Sequence, residues 1–540
     1  MMKSNGFTMT VTVVAALLLA LAWTTASAEM SWPAGDYDGA SRATYPNQGR
    51  RLVRQGDYLH LVYDMYSINT NPIRMCITYT SSTDLGNHWA SIESVEMSNE
   101  ATNQDFLGSL AVDGRNRPWI TGVQSYWDIC RVSGTVRQAR RDWTQGVLFE
   151  GSDISVYTTS AVLSPQGGDD PMMYAVVAYD VWDVGPRWVS SNLDFVAWDI
   201  STGVPHVWYR APVVRVTTFQ QLLAGSIAAS RAGPNDILHV AYQLNDGVSR
   251  VFYTQNVNPV NPTLLRSGGG VDWDEPTEVS TPTTCPASQP AIEFDPACDS
   301  VFVAWRGPGF NADVYRRGRQ VGGPWERVPR NVSEHAGAHA NSESPTMSTR
   351  HGVAWQERVT DVNDDIYAWL DGHVVCIKPT GHDSTSRYPH IAVVPNEWVY
   401  AIDCYTVWTE KCVGSRSPYD YKVWFKKYRY IPTAEGPGGQ VRQLVCLGEG
   451  EALLRAQPAV SKGSVRFELV VPNGGPCRLG IQNKLGSVVR TLSAALPAPG
   501  RHVLSWDGLD ERGYPVPAGV YFCRVTTPGA QDAASVVIQR

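Results

Sequence analysis

Beyond the first thirty residues the chain has almost no 3.6-residue hydrophobic period. Short runs of alternating apolar and polar positions recur instead, separated by turn residues. That alternation predicts an all-β chain. One unit repeats. A polar lead enters a small or apolar strand, then a Gly/Asp/Asn turn, then a very apolar strand with an aromatic near its end. The copies are RRLVRQGDYLHLVY, LGSLAVDGRNRPWITGV, TSAVLSPQGGDDPMMYAVVAY, GSIAASRAGPNDILHVAY, QPAIEFDPACDSVFVAW, SPTMSTRHGVAW and HIAVVPNEWVYAIDCYTVW, ending at Tyr63, Val123, Tyr179, Tyr242, Trp305, Trp355 and Trp408. The spacings are 60, 56, 63, 63, 50 and 53 residues, a period that signals a repeat architecture. Third strands such as RMCITYT, SNLDFVAW and DDIYAWL follow most copies.

Four strands per repeat, arranged radially, make a β-propeller, which hides the sheet edges. Residues 40–448 are therefore predicted to form one propeller. Seven blades are expected, with six left open by the irregular second copy. A run of β-sandwiches is the alternative, disfavoured by the lack of Greek-key crossovers. Pro432–Gln440 is turn-rich and marks a boundary, although QVRQLVCL remains open as an outer strand of the last blade. Residues 453–540 hold six short strands and predict a small β-sandwich, immunoglobulin-like by the resemblance described below.

The start of the chain reads as a secretory leader. Lys3 precedes the 13-residue apolar run Val11–Trp23, and Ala26-Ser27-Ala28 is a small-residue cleavage site. Residues 1–28 are thus expected to be removed, with an uncleaved anchor as the alternative. No later apolar run is long enough to span a bilayer. The reading implies a secreted or cell-surface protein. All ten cysteines follow the leader, none in a CxxC pair. In an oxidising compartment they are expected to form disulfides, with Cys477–Cys523 paired as the two cysteines of the C-terminal domain and Cys285–Cys298 and Cys404–Cys412 as pairs close in sequence; free buried thiols are the alternative. A formal charge of −7 and the lack of a basic run argue against a nucleic-acid binder.

Ser82-Thr83-Asp84-Leu85-Gly86-Asn87-His88-Trp89 fits S-x-D-x-G-x-x-W. The segment resembles the Asp-box (BNR repeat) of sialidase-like propellers. There Ser82, Asp84, Gly86 and Trp89 would be structural, closing a turn and packing an indole between sheets. Sialidases of that type draw their first catalytic arginine from an Arg-Ile-Pro motif. This chain offers only Ile73-Arg74-Met75, so the catalytic set does not carry over. At the C-terminus, Leu485–Leu492, Pro499–Val525 and the ending VVIQR resemble the FlgD Ig-like domain of the flagellar hook-cap family, which is similar to type IX secretion sorting domains. The resemblance implies a tail for export or surface attachment through secretion or cell-surface machinery.

On a propeller, ligands meet the loops at one mouth of the central channel. Expected ligand-binding residues there are Tyr45, Gln48, Gln104, Tyr126, Trp127, Trp182, Trp188, Gln289, Arg387 and Tyr388, since aromatic rings cover sugar C–H faces and amides satisfy hydroxyls. The same residues could instead close the channel by bonding to one another. Were the chain a hydrolase, Asp105, Glu343 and Glu357 are the candidate carboxylates, two of which would have to face one another about 5–9.5 Å apart. Asp361, Asn363 and Asp365 set oxygen ligands at alternate positions, as in a calcium loop, or simply form a hairpin turn. No other cofactor is expected. The sequence thus points to an exported bacterial surface propeller that binds a glycan or an extracellular protein. A divergent sialidase-like glycoside hydrolase and a structural surface component are the alternatives.

Overall fold

The computed structural model describes residues 38, 39 and most of 49–539. Outside it lie 1–37, 40–48, 540 and internal stretches, the longest being 96–103, 334–340, 379–385, 412–420 and 432–442. The expected leader, Tyr45, Gln48, Trp127, Asp361, Asn363 and Cys412 therefore fall outside the described residues. The side chains of Gln104, Asp105 and Tyr126 do too. Two compact units divide the chain, one holding residues 30–393 and 405–425 and the other, among the described residues, 394–404 and most of 426–540.

The larger unit is a β-propeller of antiparallel four-stranded meanders. Five are separate sheets, and two more lie within a nine-stranded sheet. The first strands are Leu52–Gln55, Gln104–Val112, Ile154–Leu163, Gln221–Ala232, Ser288–Asp295, Asn341–Ser348 and Ser386–Asn396. The second strands are Tyr58–Ser67, Pro118–Tyr126, Met173–Trp182, Asn235–Asn245, Ser300–Arg306, Gly352–Arg358 and Ala401–Lys411. Every repeat-ending residue read from the sequence lies on a second strand and is buried. The reason is the period-2 pleat: with both faces covered by neighbouring sheets, the strand is largely apolar on both, and its polar residues are buried with it. Core clusters accordingly sit between consecutive sheets. Trp119 and Trp198 share one cluster across the second and third meanders, and Val240 joins Leu193 in the next. Each fully buried large apolar side chain contributes roughly 1.5–3 kcal/mol.

First strands of consecutive meanders lie side by side without forming a ladder, so their backbone groups need other partners. Serine hydroxyls provide them. Ser109 Oγ accepts from Ala161 N at 2.9 Å, Ser160 Oγ from Ile227 N at 3.2 Å, Ser226 Oγ from Ile292 N at 3.2 Å and Ser348 Oγ from Val393 N at 2.9 Å. The two-residue strand Asp38–Gly39 pairs with Tyr421 on one side and with Met65 and Tyr66 on the other, joining the last meander to the first.

Within the smaller unit, residues 453–539 form a sandwich. Leu453–Gln457, Val465–Val471 and Gly500–Trp506 make a three-stranded sheet. Val460–Ser461, Ala530–Ile538, Gly519–Thr527, Gly475–Asn483 and Val488–Leu496 make a five-stranded one in that order. Phe467, Leu479, Trp506, Tyr521 and Val536 fill the space between. Gly508 adopts φ 75°, and a Cβ there would sit 2.3 Å from Gly463 O, so the turn requires glycine.

The expected disulfides are corrected. Cys285, Cys298, Cys404, Cys477 and Cys523 are free. Cys477 and Cys523 lie on neighbouring strands, but Cys523 pairs with Ile481, four residues along. At about 3.4 Å per residue that offset is ~13 Å, beyond the ~7 Å Cα separation a disulfide tolerates. Cys285 and Cys298 flank opposite ends of the eight-residue strand Ser288–Asp295. Cys404–Cys412 involves a residue outside the described set. Among the described residues no helix is long and apolar enough to cross a membrane.

Candidate functional site

The residue that follows each repeat-ending position is polar in all seven copies: Asp64, Gln124, Asp180, Gln243, Arg306, Gln356 and Thr409. Antiparallel pairing brings these positions beside the beginnings of the first strands, at one rim of the propeller. Most are buried, so each must find a partner. Arg51 donates to both oxygens of Asp64, at 3.0 and 2.9 Å. Ser133 Oγ donates to Gln124 Oε1 at 3.0 Å, and Tyr157 OH to Asp180 Oδ2 at 2.6 Å. The Asp180 charge and burial together raise the Tyr157 hydroxyl far above its usual range.

Over the fifth to seventh meanders the rim takes one repeated form. Gln289, Ser344 and Tyr388 have left-handed backbones, with φ of 55°, 56° and 56°, and each precedes a proline. Register shifts at Ser288/Ala291 and Glu343/Thr346 mark bulges there in the first strands of the fifth and sixth meanders. Bulges free a residue from the ladder and re-aim it. The freed N–H groups find glutamines. Gln289 N donates to Gln243 Oε1 at 3.2 Å, Ser344 N to Gln289 Oε1 at 2.9 Å and Tyr388 N to Gln356 Oε1 at 3.0 Å. Gln356 Nε2 also reaches Glu343 Oε2 at 3.5 Å. Asn341 Nδ2 donates to Glu343 Oε1 at 2.6 Å, and Arg306 Nη2 lies 3.5 Å from that oxygen. Beside this chain Asp364, buried, accepts from Arg387 Nε at 2.8 Å and Arg358 Nε at 3.3 Å.

The predicted residues therefore divide. Gln289, Arg387, Tyr388 and Glu343 come together on this rim. Trp182 and Trp188 pair across the hairpin of the third meander, in a separate place. Glu357 is 2% exposed and accepts from Trp355 Nε1 at 3.0 Å and Ser342 Oγ at 3.5 Å. The next meander repeats that geometry, with Glu410 accepting from Trp408 Nε1 at 3.2 Å and Ser386 Oγ at 3.4 Å. Glu343 pairs with Gln356 across the ladder and Glu357 with Ser342, so the two carboxylates leave opposite faces of the sheet. Asp365 is buried at the start of the strand Asp364–Leu370. Among the described residues, no three His, Cys, Asp or Glu side chains are grouped to hold a metal ion.

Two further features were not read from the sequence. Arg50, leading into the first meander, donates to Glu293 on the first strand of the fifth, at 3.1 and 2.5 Å. The space enclosed by the first strands is thus crossed by a two-bonded ion pair. The ring of polar residues was visible in principle, since one step past each aromatic end was enough to find it.

The turn Ser82–Trp89 follows the third strand of the first meander, Arg74–Ser82. Ser82 Oγ accepts from Gly86 N at 2.7 Å, and Asp84 Oδ1 accepts from His88 N at 2.9 Å. Burial alone would raise the Asp84 carboxyl, but hydrogen bonds from His88 and Ser82 outweigh it and hold it below its ordinary range. Trp89 packs edge-on against Phe425 at 5.1 Å, and a Cβ on Gly86, at φ 89°, would overlap the same ring.

Residues 458–531 match the FlgD Ig-like domain family. Among solved structures, FlgD from Xanthomonas campestris, described for hook capping in flagellar assembly, is 29% identical over 16% of this chain and 69% of that one, with a TM-score of 0.13. The β-propeller domain of the Trilobed protease from Pyrococcus furiosus is 7% identical over 73% of this chain and 97% of its own, with a TM-score of 0.37. The α-L-arabinanase of Penicillium chrysogenum is 12% identical over 72% of this chain and 96% of its own, with a TM-score of 0.36. No curated protein matches the chain.

Proposed function

We propose that the chain is an exported surface protein whose propeller binds a glycan or an extracellular protein without chemistry, while its C-terminal sandwich serves export or attachment. The leader at residues 1–28 and the FlgD-type sandwich support the surface assignment. The Ser82–Trp89 turn supports kinship with sialidase-type propellers. One observation carries the preference for binding over hydrolysis: Glu343 and Glu357 leave opposite faces of their sheet, and Glu357 is spent on Trp355 and Ser342. A glycosidase needs two carboxylates facing a common cleft. What the rim offers is a set of part-exposed guanidinium, amide and carboxylate groups, Arg306, Glu343 and Arg387 foremost, suited to hydroxyls and peptide groups.

The test uses purified residues 29–540 against a glycan array and against fluorogenic sialosides and arabinosides. Expected are array binding that weakens at least tenfold in Arg306→Ala, and no fluorophore release. Release that disappears in Glu343→Gln would overturn the reading in favour of a hydrolase.

A further inference from the structure

Charge is divided unevenly along the chain. Residues 453–540 hold ten Lys and Arg against five Asp and Glu, whereas residues 1–452 hold 35 against 47. The cationic part is the sandwich, and its five-stranded sheet has an unusual outer face. On Gly475–Asn483 and Gly519–Thr527 the residues alternate strictly. Cys477, Leu479, Ile481, Tyr521, Cys523 and Val525 point into the core, so Arg478, Gln482, Val520, Phe522 and Arg524 point out.

Cross-strand register sorts these outward residues into rows. Phe522 lies beside Gln482, and Gln482 beside Val488; Val520 lies beside Val537. Phe522 is 50% exposed, Val520 44% and Val488 53%. The next rows along the strands hold Arg524 opposite Gly480 and Arg478 opposite Thr526. Of the carboxylates near this sheet, Glu511 accepts from Thr491 N and lies 3.9 Å from Arg490, and Asp532 pairs with Val525, which faces the core. One end of the face is therefore apolar, and towards the other lie Arg524, two residues or ~7 Å from the Phe522 row, and Arg478, four residues or ~13 Å from it.

Exposed apolar patches of this kind mark interaction sites. We propose that this face docks the protein on an anionic lipid surface. Phe522, Val520 and Val488 enter the acyl boundary, and Arg478 and Arg524 reach lipid phosphates. The proposal rests on the reading of the sandwich as an attachment module. A bilayer changes from apolar to anionic over a comparable depth, and arginine stems can lie along apolar surface while the guanidinium stays at the headgroups.

The experiment is sedimentation of residues 29–540 with vesicles of phosphatidylcholine containing 30% phosphatidylglycerol, and with pure phosphatidylcholine, at ~50 and ~300 mM salt, a range over which screening strengthens markedly. Binding is expected only to the anionic vesicles and should fall at higher salt. Each basic residue near such a surface is worth about fivefold in affinity, so Arg478→Gln with Arg524→Gln should weaken binding about twentyfold or more. Phe522→Ser should weaken it independently of salt. All three side chains are external, so the unfolding midpoint should not change. Equal binding to neutral vesicles, or anionic binding indifferent to both variants, would overturn the proposal. So would capture by soluble poly-glutamate, or self-association in light scattering, without vesicle binding. Glycan-array binding by the propeller is read separately, so failure here leaves that measurement standing.

Discussion

At the scale of single residues, what decides behaviour is how buried polar groups are satisfied. His60 and His239 occupy the same place in two repeats, LHLVY and LHVAY. Their Nδ1 atoms lie 2.8 Å from the hydroxyls of Tyr79 and Tyr253. Burial, helped by the Arg319 charge, lowers His239 to about 3. Burial, helped by Arg137 and opposed by Asp113, lowers His60 to about 4. Unfolded, both would titrate near 6.5. The unfolded chain therefore binds more protons as pH falls below that value, and stability rises with pH across the window. The contribution is complete above pH ~6.5 and is lost progressively toward pH 3–4. Urea midpoints measured from pH 7 to pH 4 should decline, and His239→Gln should flatten that decline by close to one proton. An unchanged slope would contradict a neutral buried His239. The thiols give a second check. Unfolding without reductant in the presence of iodoacetamide should alkylate Cys285, Cys298, Cys477 and Cys523, and a cross-linked Cys477–Cys523 peptide would contradict the register of their strands.

At the scale of elements, the serine ties between first strands explain why the copies begin with small polar residues, as in GSLAV, TSAVL and GSIAA. Ser226→Ala leaves Ile292 N without its partner in a water-free setting, which costs about 1–3 kcal/mol. The urea midpoint should fall accordingly, while substitution of exposed Ser201, which bonds within its own turn to Asp199, should matter much less. The meanders were legible because an interior second strand is largely apolar at both pleat faces, and Tyr179 or Trp355 at its end announces it. The rim was less so. Gln289, Arg387 and Tyr388 were found as polar residues near strand starts, yet the N–H groups of Gln289 and Tyr388 are held by a glutamine one meander away, which spacing along a single strand does not reveal. Glu357 misled for a related reason. A carboxylate two residues after a tryptophan looks available in sequence, but the indole N–H of Trp355 turns back onto it. Proline after Gln289 and Ser344 was the sequence sign of the bulges, since proline is confined to places where the ladder is broken.

At the scale of the whole molecule, each unit carries its own means of completing its sheets. In the propeller, Asp38–Gly39 supplies the pairing between last and first meanders, so strand edges that would invite aggregation are covered. The sandwich poses a sharper question, because the family match and the folded unit do not coincide. The match runs from residue 458 to 531. The strand Leu453–Gln457, which completes the three-stranded sheet by pairing with Val465–Val471, lies wholly before it. Most of Ala530–Ile538 lies after it, including Val536 and Ile538, both in the core. That strand covers one side of Gly519–Thr527 and pairs in parallel with Val460–Ser461. Removing two core side chains costs roughly 3–6 kcal/mol at 1.5–3 each, before the lost ladder is counted. A domain of this size has only about 5–10 kcal/mol to lose. A fragment of residues 453–540 should therefore unfold cooperatively in urea with a blue-shifted emission from Trp506, its one tryptophan. A fragment of residues 458–531 should show exposed emission and no transition. If the shorter fragment unfolded as cooperatively as the longer, the flanking strands would be decoration and the sandwich's boundaries would be those of the family match.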